Sequence, residues 1–410
     1  MPKIDYIDTL QACLCVMVIV ALGYLFGGLK VFGITEAFSM RRTIYLICLP
    51  GLLFREIALH KLNLHDWQPF LNGLLTQATI HIVYVLISFI GPFKEKLKTF
   101  LSFLYSTSYI NIIFFGYPIV QVLYGNDYVY IPAMHNLVQL FFCIPIHTVL
   151  SLYITKDPPP DEHDGHHEED VLEEGIQREN DGPIHPVEPN QSANTTSQQD
   201  EATTTQDQVE QVTTNEDSDE SVEEPYYDSD SSQTQNDDHK KKKKSCFTPR
   251  QWAIFWSIVT PSNICSILGI IWSATGWTMP VFLHDFVYDI EKATMAAGLF
   301  TCGIFMWEHP FFGCNAWKLT LALFVHFIII PLISMFWGWV CKVDETTGTI
   351  NVLLHAMPVA LVGYAMSLQT GQAMKIASFS FFWSILLSLP LTMLWVLVFN
   401  KLDIFSIFSN

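Results

Sequence analysis

Apolar residues along this chain fall in long blocks separated by short polar stretches, and blocks of this length predict helices that cross a bilayer. Before residue 155 they run over about 10–29, 43–58, 70–90, 100–124 and 130–153; after residue 248 they run over about 252–275, 285–307, 317–340, 350–368 and 377–399. The first block follows a very short N-terminus with no basic region and no clear cleavage site, so it reads as a retained span. Five blocks on each side of one polar loop give two similar halves of opposite orientation, because an odd number of crossings reverses the chain. The expected fold is all-α and integral to the membrane: ten transmembrane helices as two inverted five-helix repeats, 1–154 and 249–410. The stretch 155–248 has almost no apolar clusters and is expected to be a disordered, acidic loop.

Two of the blocks are interrupted. The segment 109–125, YINIIFFGYPIVQVLYG, carries Asn111, Gly116 and Pro118, and the segment 353–368, LLHAMPVALVGYAMSL, carries Pro358 and Gly363. A proline removes an amide donor and strands a carbonyl, which hydrocarbon cannot satisfy, so such a break survives only among other helices or beside a cavity. Paired interruptions at matching places in two halves point to a substrate site at mid-membrane. Half-helix N-termini there favour an anionic group, and an organic carboxylate fits. Asn111 and Gln139 offer uncharged donors, and Phe114, Phe115, Tyr117 and Tyr364 offer aromatic surface for a ligand body. Asn111 and Gln139 also suit the plainer role of joining helices. His81, His135, His147, His326 and His355 are each either a proton carrier or a satisfied interior residue, and His355 stands out because it is three residues from Pro358.

Composition agrees with a membrane body: half the residues are apolar and mean hydropathy is +0.28. The net charge of −18 belongs to the loop, since residues 157–239 hold 26 acids against one base, Arg178, leaving 21 bases against 14 acids elsewhere. The nine cysteines lie mostly in apolar blocks and read as small packed side chains, not as a disulfide framework. Lys30, Arg41, Arg42, Lys94, Lys96, Lys98, Lys156, Lys240 to Lys244, Arg250, Lys318 and Lys375 fall on one side of the spans, with Lys3, Arg55, Lys61, Lys342 and Lys401 opposite. That asymmetry places the loop in the cytosol and both termini outside it, in the plasma membrane or the endoplasmic reticulum. Glycan on Asn190 or Asn194 would reverse this assignment. In the loop, His163, His166 and His167 alternate with acids as a weak metal tract or as solvated sequence, Ser218 and Ser221 suit a kinase directed by acids, and Lys240 to Lys244 suit anionic lipid. Arg55, Glu56, Asp285, Asp289, Glu291 and Lys292 are expected at solvated or paired helix ends. There is no HExxH, no GxSxG and no pair of aspartates on facing spans, so an enzyme is not expected. Neither cofactor nor nucleic acid is implied.

The segment NIIFFGYPIVQVLYG resembles the fourth-span signature of the auxin efflux carrier superfamily. GYLFGGLKVFGITEAFSMRRTIYLICLPGLLF is similar to its first two spans, and the chain from MAAGLFTCGIFM through LLHAMPVALVGYAM to SLPLTMLWVL resembles its last four. The resemblance covers everything but the loop. It implies that helices four and nine cross near the membrane centre at Pro118 and Pro358, that one pair of spans from each half forms a scaffold, often dimeric, and that the other six move. It also implies that Asn111 is the polar residue of the broken fourth helix and that Gln139 lines the site. Where plant members carry a glutamine about one turn before the second crossover proline, this chain has Leu354, so substrate identity is not carried over. The expected function is efflux of a small organic anion by alternating access, elevator-like, with Asn111, Gly116, Pro118, Gln139, His355, Pro358 and Gly363 at the site. An inside-negative potential drives such export with about 2.3 kcal/mol per charge per 100 mV. The alternatives are a metal-ion transporter with a histidine-rich loop and a sensor built on a transporter body.

Overall fold

A computed structural model describes residues 4–154, 249–309 and 313–402. The acidic stretch, with its histidine tract, sequons, serines and lysine run, lies outside the described residues. Among those described, every regular element is helical.

Helix α1 is Tyr6–Gly28, started by Asp5, whose carboxylate accepts the Ile7 amide. α2 (Ile34–Thr43) runs through one widened turn into α3 (Leu49–Leu59), and α4 is Gln68–Ile90. α5 (Lys96–Thr107) stops, and the chain resumes through a widened turn as α6 (Tyr117–Tyr124). α7 (Tyr130–Val138) continues into α8 (Ile144–Ile154). In the second half come α9 (Pro249–Ile258), α10 (Pro261–Thr275), α11 (Val281–Glu308), α12 (Ala316–Phe324) continuing into α13 (Ile330–Val340), α14 (Glu345–His355), α15 (Leu361–Thr370) and α16 (Met374–Leu402). Five of these stretches are long and apolar enough to cross a membrane: Tyr6–Gly28, Leu64–Ile90, Asn126–Ile154, Ala316–Val340 and Met374–Lys401. The pair α9–α10, bent by 40° at the Thr260 cap and Pro261, makes a sixth if counted as one span. The other expected spans, α2–α3, α5–α6, α11 and α14–α15, carry charges or breaks.

Among the described residues four helices widen for a single turn, at Ile44–Cys48, Ile112–Gly116, Gln139–Cys143 and Val325–Ile329. Each turn is followed two residues later by a proline: Pro50, Pro118, Pro145 and Pro331. A proline ring collides with the carbonyl four residues back and offers it no N–H; widening the turn gives that carbonyl room and lets the helix continue. The Phe327 carbonyl, four residues before Pro331, is then taken by Trp395 Nε1 at 3.0 Å. Pro118 is therefore not where helix four breaks, contrary to the sequence-based expectation. The break is at 108–111, and the widened turn absorbs Pro118.

The closest helix pairs are α1 on α11 and α10 on α3. At Gly23 an added Cβ would come 2.0 Å from the Phe300 carbonyl, and at Gly303 2.0 Å from that of Val20, so the backbones of α1 and α11 touch. Gly269 plays the same part between α10 and α3, with a Cβ 3.0 Å from the Phe54 carbonyl. Such close approach through small residues is how helices associate when lipid is the solvent. Asn72 and Ser334 join α4 to α13 by two bonds, Nδ2 to the Ser334 carbonyl at 2.9 Å and Ser334 Oγ to Oδ1 at 2.7 Å. Large apolar side chains such as Ile82, Ile90, Phe282 and Phe336 face outward, as a hydrocarbon surround requires.

Candidate functional site

The two breaks meet. Asn111 N donates to the Pro358 carbonyl at 2.8 Å and Ala360 N to that of Tyr109 at 2.9 Å, a short antiparallel bridge between residues 110 and 359. Backbone groups freed by the breaks have nowhere to go but protein, and most of their partners can be named. The Thr107 carbonyl is held by His326, that of Ser108 by Gln77 Nε2 at 2.9 Å, and that of Ile110 by Gln139 Nε2 at 2.8 Å. On the other strand, Val359 N donates to Ser384 Oγ at 3.0 Å and the Met357 carbonyl is held by His326.

Around this bridge the half-helices pack closely, and two glycines set their spacing. A Cβ on Gly363 would stand 2.3 Å from the Tyr105 carbonyl, packing α15 on α5. A Cβ on Gly116 would stand 2.6 Å from Leu354 Cδ2, packing the turn before α6 on α14. Both glycines, expected at a binding site, thus serve close approach between helices.

Beside the bridge is a cavity of about 20 Å³, enough for a water and too small for an organic anion. Asn111 and Phe114 line it from the stretch between α5 and α6, Ala360 and Leu361 from the start of α15, Gly298, Thr301 and Cys302 from α11, and Arg41, Ile44 and Tyr45 from α2 and the widened turn that follows it. Asn111, buried, is in hydrogen-bond contact with the Cys302 thiol. The helical stretches starting at Ile112 and Leu361 both begin beside it, so two amide-rich ends and Arg41 border the cavity. No carboxylate lines it. A wider groove of about 600 Å³ between α12 and α16 is lined mainly by apolar side chains such as Leu319, Phe327, Trp383 and Leu391, and so lacks the convergent polar groups an anion needs.

Of the residues expected at the site, the structure brings Asn111 to the cavity and puts Pro358 in the bridge. Gln139 spends its amide on the Ile110 carbonyl and positions the break. His355 ends α14, bonded through Nδ1 to the Asn351 carbonyl at 2.8 Å, with its ring 4.5 Å from that of His135. Arg41, read from the sequence as a topology charge at the helix end, is the missed residue; its guanidinium lies over the Phe305 ring at 5.8 Å. The available signal was its spacing, three and four residues before Ile44 and Tyr45 on one helical face.

A second polar cluster sits between α3, α11 and α6. Arg55 bonds both Glu56 and Glu291, and both carboxylates are buried. Tyr117 Oη donates to Glu291 at 2.7 Å. Arg55, Glu56 and Glu291, expected at solvated or paired ends, are paired, with both carboxylates buried, and Tyr117, expected as aromatic surface for a ligand, instead spends its hydroxyl on Glu291. Tyr117→Phe leaves a buried carboxylate oxygen without its donor and is expected to destabilise the protein by about 1–3 kcal/mol, read as a lower melting temperature of the purified protein; an unchanged melt would show that the bond carries no stability.

A multi-span membrane protein with two interrupted helices paired backbone to backbone beside a small cationic cavity is built as a carrier is built. The profile of the membrane transport protein family matches residues 8–396, and the chain belongs to that family, the auxin efflux carrier type. It is similar to a probable auxin efflux carrier component 9 of Oryza sativa subsp. japonica, at 24% identity over 143 residues, 34% of each chain. The match thus spans about a third of that relative's length.

Proposed function

We propose that this protein is a secondary transporter that moves a small organic anion by alternating access, with the carboxylate held by Arg41, Asn111 and the two half-helix N-termini. The observation that carries this reading is the cavity itself: one guanidinium, one amide and two helix N-termini converge with no acid among them. At about 20 Å³ the cavity has no room for the body of such an anion, so on this reading the half-helices part when it binds. The ten-span inverted repeat is part of the proposal, supported by the exchange symmetry of the packing, in which span one lies on span seven and span six on span two through glycines. On that plan spans one, two, six and seven form the scaffold, and the six others carry the crossover past it. The basic residues support a cytosolic central loop. The rice relative's name concerns auxin, an aromatic carboxylic acid; Leu354 in place of a polar side chain argues for an anion class and not for that ligand. A metal cargo is less well served, since among the described residues no three His, Cys, Asp or Glu side chains come together as ligands.

The test is charge movement by the purified protein in liposomes given indole-3-acetate, benzoate, succinate, malate and zinc in turn. A saturable anion current, reduced about tenfold in Asn111→Ala as the loss of one hydrogen bond to a charged group implies, supports the reading. A response to zinc with none to the anions would overturn it.

A further inference from the structure

His326, fully buried, sits on the widened turn between α12 and α13. Its Nδ1 lies 2.7 Å from the Thr107 carbonyl oxygen and its Nε2 lies 2.7 Å from that of Met357. A carbonyl oxygen only accepts, and a neutral imidazole carries one N–H, so both contacts are hydrogen bonds only when the ring is an imidazolium. Turning the ring over does not relieve this, because carbons would then face both oxygens. The histidine pair nearby behaves differently. Tyr109 Oη donates to His147 Nδ1 at 2.6 Å, His147 Nε2 to His81 Nε2 at 2.8 Å, and His81 Nδ1 to the Gln77 carbonyl at 2.6 Å, with one proton on each ring.

The two carbonyls that hold His326 belong to the broken helices. Thr107 is the last residue of α5, and Met357 follows the last turn of α14. Helix C-termini carry partial negative charge, so two such ends converge on the imidazolium while the N-termini of the second halves face the Arg41 cavity. From α14 the titratable group whose field reaches His326 is His355. From α4, Tyr84 stands next to the Thr107 end of the clamp, its hydroxyl 2.6 Å from Thr107 Oγ1. The charged groups of the helices around it, Lys96, Lys98, Lys318, Glu345, Lys375 and Lys401, stand toward helix ends.

We propose that His326 is a proton-binding site that couples the carrier to a proton: protonated, it clamps the first halves of both broken helices beside the substrate cavity; neutral, it releases one of them. The coupling rests on the transporter reading, whereas the proton site does not. Full-length protein labelled with ¹⁵N-histidine and ¹³C-carbonyl methionine, reconstituted in lipid, tests the site by solid-state NMR. The ring in contact with the Met357 carbonyl carbon is expected to show two protonated nitrogens, and that signal disappears in His326→Gln. A neutral tautomer at that contact at every pH from about 5 to 8 would overturn the proposal; because the assignment is made in the wild type, a variant that fails to fold does not remove the test. In liposomes loaded with a pH-sensitive dye, succinate or indole-3-acetate flux is expected to move protons in the wild type, and the number of protons moved per unit of anion current is expected to fall in His326→Gln. An anion current with no proton movement in the wild type overturns the coupling. No current with any anion counts against the carrier reading, and the NMR result then decides the proton site by itself.

Discussion

Arg41→Gln is expected, on the anion-carrier function proposed above, to lower the apparent affinity for the anion about 10- to 100-fold, the worth of a charge-assisted hydrogen bond in a confined site. Arg41 lines the cavity beside Asn111, and no other side chain lining it carries a fixed positive charge. A carboxylate arriving there loses water; the guanidinium replaces that hydration with two parallel N–H groups, which glutamine cannot do. Arg41→Lys keeps the charge as a compact ammonium and loses the fork, so it is expected to fall between the wild type and Arg41→Gln. The measurement is the concentration dependence of anion current in proteoliposomes for the three proteins. Equal half-saturation in all three would remove Arg41 from the site and leave the helix termini as the anion's holders. Because Arg41 sits between Ile44, Tyr45 and Phe305, a melting curve for each variant separates lost binding from lost packing.

Gly303→Val is expected to abolish the folded carrier. The added Cβ alone would lie 2.0 Å from the Val20 carbonyl and 2.6 Å from the Tyr24 amide nitrogen, both main-chain atoms that no rotamer change can move aside. The helices α1 and α11 must separate along their length, forfeiting the contact through Gly23 and the Tyr24–Trp307 edge-to-face pair, whose ring centroids are 5.1 Å apart. Overpacking of a tight interior costs about 1–3 kcal/mol even where side chains can yield, and here they cannot. A glycine with the opposite constraint is the control. Gly276, which closes α10 at φ +66°, has open space around its Cβ, so Gly276→Ala meets backbone strain alone and costs about 1 kcal/mol. Size-exclusion profiles and melting temperatures of the solubilised variants check both. A monodisperse Gly303→Val protein melting with the wild type would mean that α1 and α11 do not touch as described.

The alternation of apolar blocks and polar gaps was sufficient to read an all-helical membrane body and the five stretches long and apolar enough to cross a bilayer, because hydrocarbon admits few backbone solutions and an apolar run of this length leaves its mark directly on composition. Asn111 and Pro358 were legible for a related reason: a polar amide and an imino acid inside such a run need a protein-lined surrounding, and the crossover is that surrounding. Pro118 misled because a proline in an apolar run has more than one outcome. It can follow a helix end, as at Pro358, be absorbed by a widened turn, as at Pro50, Pro118, Pro145 and Pro331, or stay inside a continuous helix, as Pro390 does in α16.

The sequence by itself determined that this is a membrane protein, where its helices run, and that the fourth and ninth apolar blocks are interrupted; each of these follows from local composition and backbone chemistry. Tertiary structure decided which groups share a site. Arg55 meets Glu291 across 236 residues, and His326 reaches back 219 residues to Thr107 and forward 31 to Met357. Arg41 turns from a helix end into the cavity that Asn111 and Leu361 complete. Helical periodicity assigns each residue to a face of its own helix, but which helix lies opposite that face is set by the fit of glycines to backbones and of stranded carbonyls to donors, and such pairings leave no trace in any single stretch of chain.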